Sequence, residues 1–335
     1  VKKLINILKY LLFLAIGIAI FYYIYKEVDI QTLKAQIWNL NWWWLGLSLT
    51  IELSSHVFRA ARWDMLINAA GYKSNSFRTF CSVLSMYFTN LIIPRGGEIV
   101  RCTALSRTEG VPFAVLFGTV VVERTIDTIL MFILLAVVVL FQLDFLKTFF
   151  AIPGHEGMLD KINFLFSPWF WIICGVLGIS AIVFIWKFRF RFAQMRLMQP
   201  IIGLLEKFWE GFKTIVKLDK PILFIIHSVV IYIAYFLVLV TAFKCFAPTQ
   251  SVTLGAAITV FTMGSLAMLA PVQGGIGPWH FMVYETLALY GIALDDGKIF
   301  ALIEHTANNG LCLILGAIGL VYLTIIGKKK VNNEK

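Results

Sequence analysis

Between residues 94 and 127, in a stretch otherwise rich in Val, Leu and Phe, the chain sets Arg95, Glu98, Arg101, Glu123, Arg124 and Asp127. Guanidinium groups hold carboxylate and phosphate oxygens through paired, charge-assisted hydrogen bonds. A second set, Glu52, His56, Arg59 and Arg62, falls at helical spacing, with the first three on one face and Ser48 and Ser55 beside them. Glu123 and Asp127 also share a face, and Arg124 lies three residues before Asp127. Further on, "LAPVQGGIGPWHF" offers the backbone of Gln273, Gly274, Gly275 and Gly277, and Glu304 and His305 follow. Such groups can hold an anion in a polar hollow. They can also close into structural pairs, Arg124 with Asp127 or Glu52 with His56.

The setting decides how costly these charges are. Hydrophobic residues make up 59% of the 335 and charged residues only 14%, and the mean hydropathy is +0.83. That is the composition of a polytopic membrane protein, in which an ionisable group inside a span is functional or paired by default. Buried charge stabilises less well than apolar packing, so a water-accessible cavity explains the whole set better than isolated salt bridges do. The net charge of +10 comes from Lys and Arg between apolar runs, which argues for membrane topology and against nucleic acid. Five single cysteines, Cys81, Cys102, Cys174, Cys245 and Cys312, show no metal or redox spacing. No HExxH, nucleophile elbow, Walker or Rossmann pattern occurs, so no metal, cofactor or catalytic residue is expected.

Apolar runs predict spans at about 4–25, 42–62, 112–143, 168–187, 222–247 and 299–326, the first too long for a signal segment. Two further stretches, 77–106 and 252–294, are each broken by Pro and Gly. The first has arms too short to cross a bilayer; the second could span. Aligning Pro94 with Pro271 brings Gly97 level with Gly274, and "ERTIDT" then meets "EHTANN" at a similar distance. The fold expected is therefore an all-α membrane protein of six to eight transmembrane helices, with two Pro/Gly-broken re-entrant hairpins in an inverted repeat. The divisions are an anchor helix and outer loop (1–41), a first repeat (42–145), a connecting span and cytoplasmic amphipathic helix (146–221), a second repeat (222–327) and a basic tail (328–335). The amphipathic helix is read from Ile201, Leu205, Phe208, Phe212 and Ile215.

Orientation follows from Lys and Arg excess. Arg59, Arg62, Lys73 and Arg78, then Arg101 and Arg107, then the basic segment 187–220 and the tail mark the cytoplasmic side, placing both termini inside. The two broken hairpins then enter from opposite faces. Interrupted segments at matching positions of inverted halves point to a transport site near the midplane. Gly96-Gly97 permits a tight reversal, and a helix starting there would aim free N–H groups at the tip beside Arg95 and Arg101. Glu98 would pair with Arg95 or Arg101. "QGGIGP" offers donors without a cation.

"RAARW" at 59–63, "IPRGGEIVR" with "VVERTIDTI", and "LAPVQGGIGPWHFMVYE" together resemble the transmembrane region of lysylphosphatidylglycerol synthases and its stand-alone, flippase-like relatives. The likeness runs from about residue 4 to 326. Gln273 stands where the family usually has Pro, and Trp279-His280 where an acid is common. In the synthases this region is thought to move an aminoacylated lipid between leaflets while a soluble domain makes it. The resemblance therefore implies lipid translocation in a bacterial inner membrane, without synthase activity.

The expected substrate is a lipid or lipid-linked headgroup bearing an anionic or phosphate group. Arg95, Glu98, Arg101, Glu123, Arg124 and Asp127 would line the inner part of its path; Glu304, His305 and the 273–277 backbone would line the outer part. A transporter is expected ahead of an enzyme. The alternatives are a membrane enzyme using Glu304 with His305 or Glu52 with His56 as acid and base, and a non-catalytic partner of a lipid- or glycan-synthesising enzyme.

Overall fold

The computed structural model describes residues 19, 21–26, 29–141, 180 and 218–333. Nearly all belong to the first of two units, Val1–Val138 with Gly211–Lys335; of the second, Val139–Glu210, only residues 139–141 and 180 are described. The expected span at 168–187, the amphipathic helix of 201–215 and most of the span at 4–25 lie outside the described residues. Regular structure among the described residues is all helical.

The segment 26–41, read as a loop, contains the helix α1 (Ile30–Trp38). Asp29 starts it by accepting the N–H groups of Gln31 at 3.2 Å and Thr32 at 3.0 Å, which a helix start otherwise leaves without partners. Helix α2 (Trp42–Ala69) runs past its expected end at residue 62, because Trp63, Leu66 and Ile67 continue its buried face. Exposed Trp38, Trp42 and Trp43 ring its start, where amphipathic indoles suit a membrane–water boundary.

The first broken hairpin is α3 (Ser76–Ile92) and α4 (Gly97–Glu109). Asn75 caps α3 through its side chain, and Gly110, at φ 78°, ends α4. After α5 (Phe113–Phe141) and α6 (Pro221–Cys245) comes the second hairpin, α7 (Leu254–Ala267) and α8 (Pro278–Leu289). Arms of 17, 13, 14 and 12 residues reach about 25, 20, 21 and 18 Å at about 1.5 Å per residue. The last helix, α9 (Leu294–Asn333), starts earlier than the expected 299 because Asp295 and Asp296 favour a helix N-terminus.

Helix α2 packs along α6 and α3 along α9, while α9 also touches α4 and α8. The α3–α9 contact is close: a Cβ on Gly316 would meet the Leu84 carbonyl, and one on Gly319 the Cys81 carbonyl. Small residues let two backbones approach in this way. Three apolar clusters result among the described residues, the two largest as follows. One joins Trp63, Val83, Leu105 and Leu116 of α2 to α5; the other joins Leu45, Phe243, Val260 and Phe300 of α2, α6, α7 and α9.

Polarity is distributed inside out. Ile222, Ile225, Ile226, Val229 and Ile233 of α6, and Ile314, Ile318, Val321 and Ile325 of α9, are exposed, whereas Arg59, Arg62, Arg101 and Glu123 are buried. Apolar side chains turned outward at helical spacing suit a hydrocarbon surround. Two described stretches, Pro221–Cys245 and Leu294–Gly327, are long and apolar enough to cross a bilayer. Helices α2 and α5 have the length and carry charge in their middles.

Candidate functional site

Those mid-helix charges meet in one place. Glu123 of α5 lies at the centre, 2.6 Å from Arg59 Nη1, 3.1 Å from Arg62 Nη2, 3.0 Å from Arg101 Nη2 and 3.1 Å from Arg124 Nη2. Asp127, one turn on, accepts from Arg59 at 3.2 Å and lies 2.7 Å from Arg62 Nη2 as an ion pair. Glu98 of α4 contacts Arg101 at 2.7 Å and Arg124 at 3.2 Å. Helical spacing explains the arrangement: Arg59 and Arg62 sit three apart on α2, and Glu123 and Asp127 four apart on α5, so two facing ladders interlock. Arg101 is fully buried and lies over the Trp63 ring at 4.6 Å. Its Nη1 has no hydrogen-bond partner.

Arg59, Arg62 and Arg101 were assigned to cytoplasmic ends, yet they are 3%, 0% and 0% exposed, because the carboxylates of α4 and α5 neutralise them within the bundle. Arg78, counted with them, pairs with Glu109 at 3.2 Å.

Beside the ion cluster opens a cavity of about 450 Å³. Arg59, Arg124 and Asp127 form one wall, and Glu304, His305 and Asn308 of α9 another, with Tyr87, Tyr235 and Trp279 between. Glu98, Arg101 and Glu123, expected on the inner wall, stand behind it and hold Arg59 and Arg124 in place. The arginine most open to the cavity is Arg124, whose side chain is 41% exposed. Glu304 accepts from Asn308 at 2.7 Å, while His305 stacks on Trp279 at 4.8 Å and contacts Asn309. Glu304 and His305 thus have separate partners. Sequence reasoning missed the tyrosines: Tyr235 Oη accepts Arg59 Nη2 at 3.0 Å and lies 2.9 Å from Tyr87 Oη. A phenol on an otherwise apolar helix, one helix away from an arginine, was the available signal.

The two broken tips touch. Arg95, not a glycine, takes the left-handed turn, at φ 59°. Its Nη2 donates to the Leu269 carbonyl of the second hairpin at 2.7 Å, so Glu98 pairs with Arg101 and Arg124 instead. Gly96 is ordinary right-handed backbone. Gly97 is required for space, since a Cβ there would strike the Met86 carbonyl of α3. Its N–H, expected to be free for an anion, donates to Asn90 Oδ1 at 2.9 Å. Across the seam, Gly274 at φ 55° packs against Leu91, and Gly275 at φ 76° against Met268. Gln273 is buried. Gly277, at φ 94°, donates its N–H to His280 Nδ1 at 3.3 Å and starts α8. The 273–277 backbone therefore packs at the tip contact, and Met268, Leu269 and Trp279 from that hairpin reach the cavity wall.

Buried ions within an outwardly apolar helical bundle define an integral membrane protein with a polar interior cavity. The chain belongs to the lysylphosphatidylglycerol synthase transmembrane region family, whose model matches residues 8–316. It is similar to a UPF0104 membrane protein of Methanocaldococcus jannaschii, 26% identical over 310 residues that cover 89% of this chain and 88% of the relative. A UPF0104 membrane protein of Methanothermobacter thermautotrophicus is 23% identical over 305 residues, covering 84% and 83%. Both relatives are archaeal. No solved structure matches the chain.

Proposed function

We propose that this protein moves a lipid with an anionic headgroup between leaflets of the cytoplasmic membrane, as a transporter and not an enzyme. The observation that carries the reading is the charge count within the ion cluster, taken apart from Glu52 and Glu304 on the other cavity walls. Four arginines, Arg59, Arg62, Arg101 and Arg124, face three carboxylates, Glu98, Glu123 and Asp127, leaving one cation in excess at low dielectric. A phosphate oxygen brought to Arg124 satisfies that excess. Glu304, Asn308 and Asn309 on the opposite wall supply hydrogen-bonding groups for the rest of the headgroup. A volume of about 450 Å³ suits a headgroup, with acyl chains remaining in lipid.

Arm lengths support the inverted-repeat reading. No hairpin arm reaches the ~30 Å of a bilayer core, so each hairpin re-enters on the side from which it came. Tips that meet, through Arg95 to Leu269 and Gly274 to Leu91, fit entry from opposite faces. One apolar cluster lies within the first half, and the other joins α2 of the first half to the helices of the second. Both termini lie on the cytoplasmic side in this arrangement.

The test is a leaflet assay with purified protein in vesicles carrying fluorescent phosphatidylglycerol. The parent speeds equilibration between leaflets, and Arg124→Ala slows it at least tenfold while remaining monodisperse. Equal rates for the two proteins refute the role of Arg124. Cysteines replacing Thr128 and Ser265, both on the cavity wall, react with a small water-soluble maleimide; two inert positions mean a dry interior and end the transport reading.

A further inference from the structure

Next to Arg59, three side chains of the kind that bind metals come together at the edge of the cavity. His56 Nε2 on α2 lies 3.3 Å from Glu52 Oε1 and 3.5 Å from Cys312 Sγ on α9. The three atoms all lie within 4.8 Å of one another. A tetrahedral ion with bonds of about 2.0–2.1 Å to nitrogen and oxygen and about 2.3 Å to sulfur sets N and O ligands about 3.3 Å apart and N and S about 3.6 Å apart. Both separations around Nε2 match those values.

Proton placement points the same way. Ser55 Oγ donates to the Glu52 backbone carbonyl at 2.7 Å, which leaves its lone pair for His56 Nδ1, 3.5 Å away. A metal on Nε2 requires the tautomer with the proton on Nδ1, which Ser55 Oγ is placed to accept. In that tautomer the Nε2 lone pair faces the Glu52 carboxylate and the Cys312 sulfur, with the ion between them. The Tyr87 ring, 4.3 Å from the imidazole centroid, holds the plane of the ligand. Charge agrees as well: among the described residues the ion pair of Glu52 is with His56, and a carboxylate and a thiolate together balance one divalent ion.

We propose that Glu52, His56 and Cys312 bind a divalent transition metal, zinc by its ligand set, with the fourth position open to the cavity. Thiolate, imidazole and carboxylate in a tetrahedral array select zinc over magnesium or calcium. Glu52 and Cys312 both line the cavity, so the fourth ligand is water or an anionic oxygen that enters there. The site stands on its own geometry, apart from the transport reading.

The experiment uses full-length, tag-free protein stripped with chelator, then titrated with zinc against a chromophoric competitor and, separately, with cobalt. One zinc binds per chain, and cobalt gives the visible bands of a tetrahedral site with a near-ultraviolet thiolate-to-cobalt band. Cys312→Ser loses the thiolate band, and His56→Ala lowers zinc affinity at least a hundredfold. Failure of the parent to bind stoichiometric zinc, an octahedral cobalt spectrum, or a thiolate band that survives Cys312→Ser overturns the proposal. The first two readings need only the parent, so a variant that misfolds leaves the test intact.

Discussion

Replacing Glu123 with Gln removes the one carboxylate that touches all four arginines, at 2.6 to 3.1 Å. The side chain is fully buried, so water does not compensate. Gln preserves the volume, which leaves charge as the variable. Removing one partner of a buried ion pair costs about 3–5 kcal/mol, because the remaining charge stays desolvated. Four guanidinium groups would then share Glu98 and Asp127. If charge is the cause, taking away one cation restores part of the loss: Arg62→Met in the Glu123→Gln background is less damaging than the sum of the two single changes, with a coupling of about 0.5–3 kcal/mol. The assay is equilibrium unfolding in mixed micelles followed by circular dichroism, on parent, both single variants and the double. A Glu123→Gln protein within about 1 kcal/mol of the parent refutes the reasoning. So does strict additivity.

Arg124→Ala behaves differently, because its side chain is 41% exposed: screening keeps the stability change within about 1 kcal/mol, measured by the same unfolding experiment, while lipid movement slows. Gly97→Ala forces a Cβ into the Met86 carbonyl, a backbone atom that cannot swing aside, and is expected to cost at least about 1–3 kcal/mol. Gly46→Ala, with nothing within 4 Å, gains about 0.5–1 kcal/mol from helix propensity; comparing the two melting curves checks both. At the N-terminus of α1, backbone N–H groups of Thr32 and Gln31 hold the Asp29 carboxyl below its ordinary value. A depressed carboxylate stabilises above its unfolded pKa, near ~3.9, and the contribution disappears as pH falls through the folded value. Protection of the Gln31 and Thr32 amides against exchange, relative to Asp29→Ala, should follow that course.

Sequence exposed the parts of this protein whose physics is local. Pro94 and Pro271 break helices wherever they stand, so both hairpins were legible, and helical spacing alone put Glu123 with Asp127 and Glu52 with His56. What spacing cannot supply is the neighbour from another helix. Arg59 and Arg62 read as the basic end of a span because their partners lie on α5, and Cys312 read as an inert thiol although it meets His56 on α2. The tip geometry failed for a subtler reason. Paired glycines suggest a left-handed turn, but Gly97 answers a steric demand from α3, which passes the left-handed conformation to Arg95. The start of α9 was missed because Asp295 and Asp296 look like loop residues until their place in a first helical turn is recognised.

The close approach of α3 and α9 at Gly316 and Gly319 limits how this molecule can rearrange. Backbones pressed together over about one turn resist sliding, and the α9 side of the pair is about 60 Å long, given 40 residues at about 1.5 Å each. Any alternation of the cavity must then come from the short arms. Freeing α7 and α8 breaks the bond from Arg95 to Leu269, whereas α4 is tied by Glu98 and Arg101 to α5. In the transport reading proposed above, the second hairpin is the door, and the first is its frame.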